Sequence, residues 1–161
     1  MPVFHHILLA TDLTDASARA QETAVQLATT LGSRLTVLHV CEPPALALAG
    51  TSETGADLVG PCTEAPRADL ARVVWNLRKR SVDVESVMRL GVPWEHIVAV
   101  ASEVGADVIV TGTHGRHGIA HVFYGSVAER VVQDSPIPVL AVPRQLPDPR
   151  TVRARSPAEN P

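Results

Sequence analysis

Short apolar runs alternate along the chain with longer stretches of helical periodicity. Three of the short runs are almost continuously apolar, which is typical of strands buried on both faces of a sheet. A further run, the third, alternates apolar and polar residues, which favours a position nearer an edge. The predicted strands are residues 6–11, 35–40, 82–90, 108–112 and 138–142. This order predicts an α/β protein whose parallel sheet carries helices on both faces.

Four amphipathic helices are predicted in this pattern, because apolar residues recur at intervals of three and four. Pro93 suits the first turn of the third helix, and Gly105 is placed to end it. The residues predicted to face inward from the fourth helix are Val127, Ala128, Val131 and Val132.

Two segments show neither pattern. Residues 43–66 are rich in Ala, Gly, Pro and Thr, and a long connection in a compact domain is commonly a lid, a binding loop or a flexible insert. We predict a flexible insert there. Residues 144–161 are polar and proline-rich, so burial does not offset their ordering entropy and a disordered tail is expected. Residues 1–143 are then expected to form one domain.

Size and charge narrow the class of protein. The chain has 161 residues, which is enough for one domain with its own core. Of these residues, 45% are hydrophobic and 19% are charged. The net charge is −3 and the basic residues are scattered, so nucleic acid and anionic membranes are not expected partners. The first apolar run is too short to span a membrane and has no cleavage site behind it. A cytoplasmic protein without membrane insertion is expected.

The strongest chemical feature is a glycine-spaced loop between the fourth predicted strand and the fourth helix. It reads GxxG, nine residues, then GS, and its fixed positions are Gly112, Gly115, Gly125 and Ser126. Glycine lets the backbone turn sharply and approach a ligand closely. The start of the helix offers unpaired N–H groups to an anion. A phosphate chain is the expected occupant.

Together with ILLATDLT near the start and SPIPVLAVP near the end, this loop resembles the universal stress protein family over residues 5–143. In that family, the same glycine spacing followed by Ser or Thr marks members that bind ATP. The resemblance implies a Rossmann-like open sheet of five parallel strands in the order 3-2-1-4-5. It also implies that the aspartate after the first strand lies near the nucleoside, that the backbone ending the second strand reads the adenine edge, and that the glycine loop takes ribose and phosphates.

The predicted nucleotide site gathers at the carboxyl ends of the first, second and fourth strands, where ligands of open α/β sheets bind. The positions that the resemblance supplies are Asp12, Val40, Gly112, Gly115, Gly125 and Ser126. Thr11, Thr113, His114 and Val127 adjoin them in the sequence and complete the candidate set. The expected ligand is ATP, ADP or AMP, with magnesium only as a companion of the nucleotide.

Some of these residues have alternative interpretations. Asp12 can cap the helical turn that follows it, and Ser126 can cap the fourth helix. His114, His117 and His121 are close enough in sequence to suggest a metal site. No carboxylate or thiolate accompanies them in the loop, and the glycines already explain its spacing, so no metal site is predicted.

The glycine loop contains no lysine, and the single lysine of the chain, Lys79, lies far from it. Without a concentrated charge, a general base or paired carboxylates, no catalytic residue is predicted and ATP hydrolysis is expected to be slow or absent. The leading hypothesis is an ATP-binding stress-response regulator or sensor. Two alternatives stay open: an adenine nucleotide α-hydrolase-like enzyme with ATPase activity, and an interaction module without a ligand.

The last predicted strand, residues 138–142, is apolar and lies at an open sheet edge in the order that the resemblance implies. Unpaired backbone groups at such an edge recruit another strand unless they are protected. A two-fold mate that pairs the same strand solves this problem, so a homodimer is expected. The alternative is that the proline-rich tail covers the edge. An unidentified regulatory protein is the other expected partner.

Overall fold

The computed structural model describes residues 4–43, 55–113 and 126–144, with the backbone alone for residues 55–63. The β-strands are β1 (His6–Ala10), β2 (Arg34–Cys41), β3 (Val84–Leu90), β4 (Val108–Gly112) and β5 (Val139–Val142). The α-helices are α1 (Ala18–Leu31), α2 (Gly55–Arg78), α3 (Pro93–Glu103) and α4 (Ser126–Asp134), and a 3-10 helix (Asp15–Ser17) precedes α1. The predicted α/β class is confirmed.

All five strands belong to one parallel sheet in the order β3-β2-β1-β4-β5. The order 3-2-1-4-5 is therefore confirmed. Ile7 of the central β1 lies beside Leu35 of β2 and Val108 of β4. β3 lies at one edge, as its alternating pattern indicates, and β5 lies at the other.

Consecutive residues of β1 belong to two different cores, because side chains alternate across a strand. Ile7 and Leu9 face the core beneath α1 and α2. Leu8 and Ala10 face the core beneath α3 and α4. Burial on both faces explains the almost continuous apolar run in the sequence. The helices lie on both faces, as predicted.

The helix α2 begins much earlier than the sequence indicates. Irregular structure is predicted up to residue 66, but α2 begins at Gly55, so that prediction is wrong for residues 55–66. Pro66 lies inside the helix, and proline removes a backbone donor and lowers helix propensity. Leu70 and Val74 are buried against the sheet further along the same helix. Their packing stabilises a helix that local composition disfavours.

Two predicted strands begin too early. β3 begins at Val84 and not at residue 82, because the chain leaves α2 through a turn in which Ser81 has a φ of 59°. β5 begins at Val139 and not at Pro138. Proline has no N–H to donate to a strand, although the Pro138 carbonyl accepts a hydrogen bond from Ile109 N at 2.9 Å.

The predicted inward face of α4 is wrong at one position. Val132 is 49% exposed, whereas Ala128 and Val131 are buried and Val127 is half-buried. Each helical residue is turned by about 100° from the one before it. Val131 fills the inward position, so its neighbour Val132 is carried round to the surface.

At the amino edge of the sheet, the His6 side chain is buried between β1, β2 and the end of α3. Its Nδ1 lies 3.0 Å from Val104 O, and its Nε2 lies 2.8 Å from Thr36 Oγ1. A carbonyl oxygen only accepts, so Nδ1 carries the proton. Burial and the nearby Arg34 guanidinium lower the pKa of His6 below its ordinary 6.5.

Asp107, the residue before β4, fixes the start of the neighbouring strand β1. Its Oδ2 accepts hydrogen bonds from the backbone N–H groups of His5 and His6, at 2.7 and 2.9 Å. The hydrogen bonds from His6 and His5 stabilise the charged carboxylate, so they hold the pKa of Asp107 below its ordinary value. The amino edge is thus fixed by polar groups that play no part in the candidate site at the opposite edge.

Candidate functional site

The candidate site lies at the carboxyl edge of the sheet, between β1 and β4. These strands are neighbours, but the chain leaves β1 for α1 on one face, whereas α4, the next described helix after β4, lies on the other. Departures to opposite faces open a crevice, which is where open α/β sheets bind ligands. Ala10 pairs with Thr111. The structure therefore brings Thr11 and Asp12 close to Gly112 and Thr113.

Thr11 directly follows β1, although the predicted strand included it. It is buried, and its backbone and its hydroxyl are both hydrogen-bonded. Its N–H donates to Leu38 O at 2.9 Å, and its carbonyl accepts from His39 Nδ1 at 2.8 Å. Its Oγ1 accepts from Leu13 N at 3.1 Å. These three bonds fix the point at which the chain leaves the sheet.

Ser17 and Gln21 tie the start of the first helical region to Thr11. The hydroxyl oxygens of Thr11 and Ser17 lie 2.8 Å apart, and Ser17 Oγ donates to Thr14 O at 2.9 Å. A hydroxyl has one proton, so Thr11 Oγ1 is the donor to Ser17. Gln21 Nε2 donates to both hydroxyls, at 3.1 and 3.2 Å. The network holds α1 against the end of β1.

Asp12 organises the turn that follows β1. Its Oδ1 accepts from Thr14 N at 2.9 Å and from Thr14 Oγ1 at 2.7 Å. Leu13, between them, has a φ of 62°, a backbone region that costs energy for residues other than glycine. The N-cap of the 3-10 helix is Thr14, whose Oγ1 accepts from Ala16 N at 3.3 Å. Asp12 therefore supports the cap through Thr14 and does not cap the helix itself. Asp12 as a whole is half-buried at the rim of the crevice, and its Oδ2 atom is buried.

Val40 presents its backbone to the crevice from β2. Leu38 O accepts from Thr11 N, whereas Cys41 O accepts from Gly91 N at 2.9 Å. Backbone groups alternate between neighbouring strands, so those of Val40 are directed towards β1. The last β2 residue in register with β1 is Leu38. Val40 therefore lies beyond the end of β1, at the level of the crevice.

The remaining predicted residues lie on either side of the glycine loop. Gly112 is half-buried and ends β4, and Thr113 N donates to Val142 O at 3.0 Å, so this amide extends the sheet. Ser126 is exposed at the first residue of α4, and Val127 is half-buried against the adjacent core. The predicted residues that lie outside the described ranges are His114, Gly115 and Gly125.

Sequence reasoning missed three polar residues near the site: Ser17, Gln21 and His39. Ser17 and Gln21 are four residues apart, the spacing that places two side chains together on one side of a helix. That spacing, after a strand ending in Thr11, was the available signal. His39 has no comparable signal, because a single polar residue in an apolar strand is equally consistent with a core position.

Neither a metal cluster nor a membrane span is found in the described parts of the chain. Within residues 4–43, 55–113 and 126–144, His, Cys, Asp and Glu side chains do not form a group of three suited to a metal ion. His114, His117 and His121 lie outside those ranges. No helix in the described residues has the length and apolar character needed to cross a bilayer.

Comparisons with known proteins agree with this fold. Universal stress protein MJ0577 of Methanocaldococcus jannaschii is 32% identical over 89 residues, which is 55% of each chain. Its solved structure has a TM-score of 0.81 at 26% identity and covers 90% of this chain and 99% of that one. Universal stress protein MJ0531 of the same organism is 30% identical over 143 residues, which is 87% of this chain and 82% of the relative.

A universal stress protein solved in complex with cAMP is also similar. Its TM-score is 0.67 at 25% identity, and the match covers 88% of this chain and 98% of that one. The sequence model of the Universal stress protein family matches residues 4–143, which is most of the chain. The chain therefore belongs to the universal stress protein family.

Proposed function

We propose that this chain binds an adenine nucleotide, with ATP as the first candidate, in the crevice between β1 and β4. The observation that carries the proposal is that the Val40 backbone and the half-buried residue Asp12 both lie at the carboxyl edge of the sheet, beside this crevice. Open α/β sheets bind nucleotides at this place in their topology. The similar protein that was solved with cAMP supports the class of ligand, and the GxxGx9GS spacing supports a phosphate chain.

Each group in the crevice suits one part of the nucleotide. The Val40 backbone supplies a donor and an acceptor for an adenine edge. The Asp12 carboxylate is a strong acceptor for ribose hydroxyls. Gly112, Gly115 and Gly125 of the glycine loop, with Ser126 at the start of α4, are assigned to the ribose and phosphates. Magnesium would be bound chiefly through the phosphates themselves, because it retains much of its water shell.

The proposed role is regulation by occupancy, with little or no hydrolysis. Lys79, the only lysine, follows the end of α2, which precedes the first residue of β3. It therefore lies at the amino edge of the sheet, and it stacks over Trp75 with its Nζ 5.2 Å from the ring centroid. A phosphoryl-transfer enzyme needs positive charge at the phosphates, and this lysine lies at the wrong edge to supply it.

Binding and turnover measured together test the proposal. Calorimetric titration with ATP, ADP, AMP and cAMP is paired with assays for released phosphate and pyrophosphate. Saturable binding of ATP without multiple turnover supports a regulator. Rapid release of phosphate or pyrophosphate favours the hydrolase-like alternative, and absence of binding to all four nucleotides overturns the proposal in favour of an interaction module.

Two matched aspartate substitutions test the role of Asp12. Asp12→Asn keeps an oxygen that accepts from Thr14 but removes the charge, so the turn should persist while ATP affinity falls by about tenfold, or about 1.4 kcal/mol. Asp15→Asn changes an exposed aspartate of the 3-10 helix and should leave affinity unchanged. Equal affinities for the two variants would remove Asp12 from the site.

A homodimer through β5, a cytoplasmic location and a regulatory protein partner complete the proposed function. A partner would sense the nucleotide through the β1–α1 turn that carries Asp12, or through the glycine loop proposed to hold the phosphates. Co-purified nucleotide, identified by mass spectrometry of the protein from cells, would show directly which phosphate state is bound.

A further inference from the structure

The hydrogen bonding between β1 and β2 changes at the buried side chain of His39. Thr11 N donates to Leu38 O at 2.9 Å, as in a regular parallel ladder. The next bond of such a ladder would join Val40 N to Thr11 O. In this structure, Thr11 O accepts a hydrogen bond from His39 Nδ1 at 2.8 Å. β1 ends at this point while β2 continues.

This hydrogen bond determines which nitrogen of the His39 imidazole carries a proton. The Thr11 carbonyl oxygen only accepts, so His39 Nδ1 is the donor. The side chain of His39 is 4% exposed, and a lost hydrogen bond at such a depth is not readily replaced by water. The remaining polar groups of Thr11 are bonded to Leu38 and to the turn after β1. His39 therefore completes the set of bonds that orients this residue.

We infer that His39 is a positioning residue for the nucleotide site. Its Nδ1–H holds the Thr11 carbonyl, so that the β1–β2 ladder stops and the Val40 backbone is left facing the crevice. The same bond anchors the turn that carries Asp12 at the rim. The inference rests on the proposed function, because adenine is the group that Val40 would meet.

Substitutions of His39 separate its donor from its bulk. His39→Asn places an amide nitrogen at the same number of bonds from Cα as Nδ1, and it should keep ATP affinity within about threefold. His39→Leu removes the donor, and His39→Gln moves it one bond further out. Both should weaken ATP binding by about tenfold or more in calorimetric titrations.

The other buried histidine supplies a matched control. His6 is 5% exposed and its Nδ1 also donates to a backbone carbonyl, at 3.0 Å, but it lies at the amino edge of the sheet. His6→Leu should lower the free energy of unfolding measured in urea and leave ATP affinity within about twofold. The inference is overturned if His6→Leu weakens binding as much as His39→Leu. It is also overturned if His39→Leu binds normally or if His39→Asn binds as weakly as His39→Leu.

A measurement without nucleotide separates this inference from the proposed function. Amide hydrogen exchange across residues 12–17 should become faster in His39→Leu and return close to the wild-type rate in His39→Asn. His6→Leu should leave these amides as they are in the wild type, relative to the rest of the sheet. If the wild-type protein binds no nucleotide, the proposed function fails. Unchanged exchange in His39→Leu would then overturn the anchoring role of His39, and selectively faster exchange would support that role.

Discussion

At the scale of single residues, the two buried histidines show how one residue type serves opposite edges of a sheet. His6 joins β1 to β2 and to the end of α3 through Thr36 Oγ1 and Val104 O. Its surroundings favour the neutral ring, because burial and the nearby Arg34 both disfavour a second positive charge. The charges of Glu85 and Asp107 raise the pKa of His6, with a smaller effect than burial and Arg34. His6 should therefore affect stability and not binding.

Stability should fall in mild acid because of His6. Its pKa is lowered in the folded state from 6.5, so the unfolded chain binds the proton more tightly and stability decreases as the pH falls below about 6.5. Urea unfolding at pH about 7.5 and about 5.5 should show a smaller decrease for His6→Gln than for the wild type. Equal decreases in the two proteins would contradict the assignment.

At the scale of elements, the connection from β3 to α3 depends on Gly91. Its φ is 143°, a conformation that side chains rarely allow, and its N–H donates to Cys41 O at 2.9 Å. A Cβ at this position would lie 2.5 Å from His96 Nε2 of α3. Gly91 thus lets the start of α3 approach the end of β3. β3 is paired with β2, the strand that carries Val40.

Gly91→Ala should destabilise the fold by about 2 kcal/mol, from backbone strain and the contact with His96. Gly32→Ala is the matched control. Gly32 ends α1 with a φ of 66°, and an added Cβ would meet nothing within 4 Å. Its cost should be about 1 kcal/mol, from the left-handed conformation alone.

The double variant Gly91→Ala, His96→Ala separates the two contributions at Gly91. Removing the imidazole should recover the part of the loss that comes from the contact and leave the part that comes from φ. Free energies of unfolding from urea titrations check all of these values. If Gly91→Ala costs no more than Gly32→Ala, the contact with His96 has no energetic importance.

At the scale of the whole molecule, the two edges of the sheet differ in how well they are protected from pairing with another chain. β3 carries the charged residues Glu85 and Arg89, and Arg89 pairs with Glu103 at 3.0 Å. β5 has the sequence VLAV, without charge, and its Leu140 is 38% exposed. Charged residues protect edge strands from pairing with other chains. β5 is therefore the edge better suited to pair with a second copy.

The backbone of β5 supports the same conclusion. Pro138 O accepts from Ile109 N of β4 at 2.9 Å, and Val142 O accepts from Thr113 N, just after β4, at 3.0 Å. Because backbone groups alternate along a strand, those of Val139 and Ala141 are directed to the outer side of the sheet. Val132 of α4 adds an exposed apolar side chain. A two-fold mate that pairs β5 with β5 would bond these groups and cover the apolar surface.

Leu140→Glu should weaken the proposed dimer by about tenfold or more, because a two-fold axis places the new carboxylates near each other. Sedimentation velocity over a dilution series measures the dissociation constant. Trp75→Glu, a similar change at an exposed position of α2, should leave it unchanged. A wild-type protein that stays monomeric at high concentration would contradict the dimer, and an unaffected Leu140→Glu dimer would place its interface elsewhere.

Much of the fold could be predicted from local sequence patterns. The almost continuous apolar run of β1 and the alternation of β3 specify how many faces each strand buries, since side chains alternate along a strand. Pro93 and Gly105 mark the ends of α3 in the same way. The strand order came from the family resemblance, which the motifs carry and periodicity does not.

Tertiary structure alone decided the features that depend on contacts distant in sequence. α2 extends back to Gly55 although its composition reads as a loop, because packing overrides weak propensity. The Thr11 carbonyl is held by His39, 28 residues away, and no local pattern contains that bond. The sequence by itself determined which elements form and where the candidate chemistry lies. How the end of β1 is anchored at the crevice followed only from side chains that the folded sheet brings together.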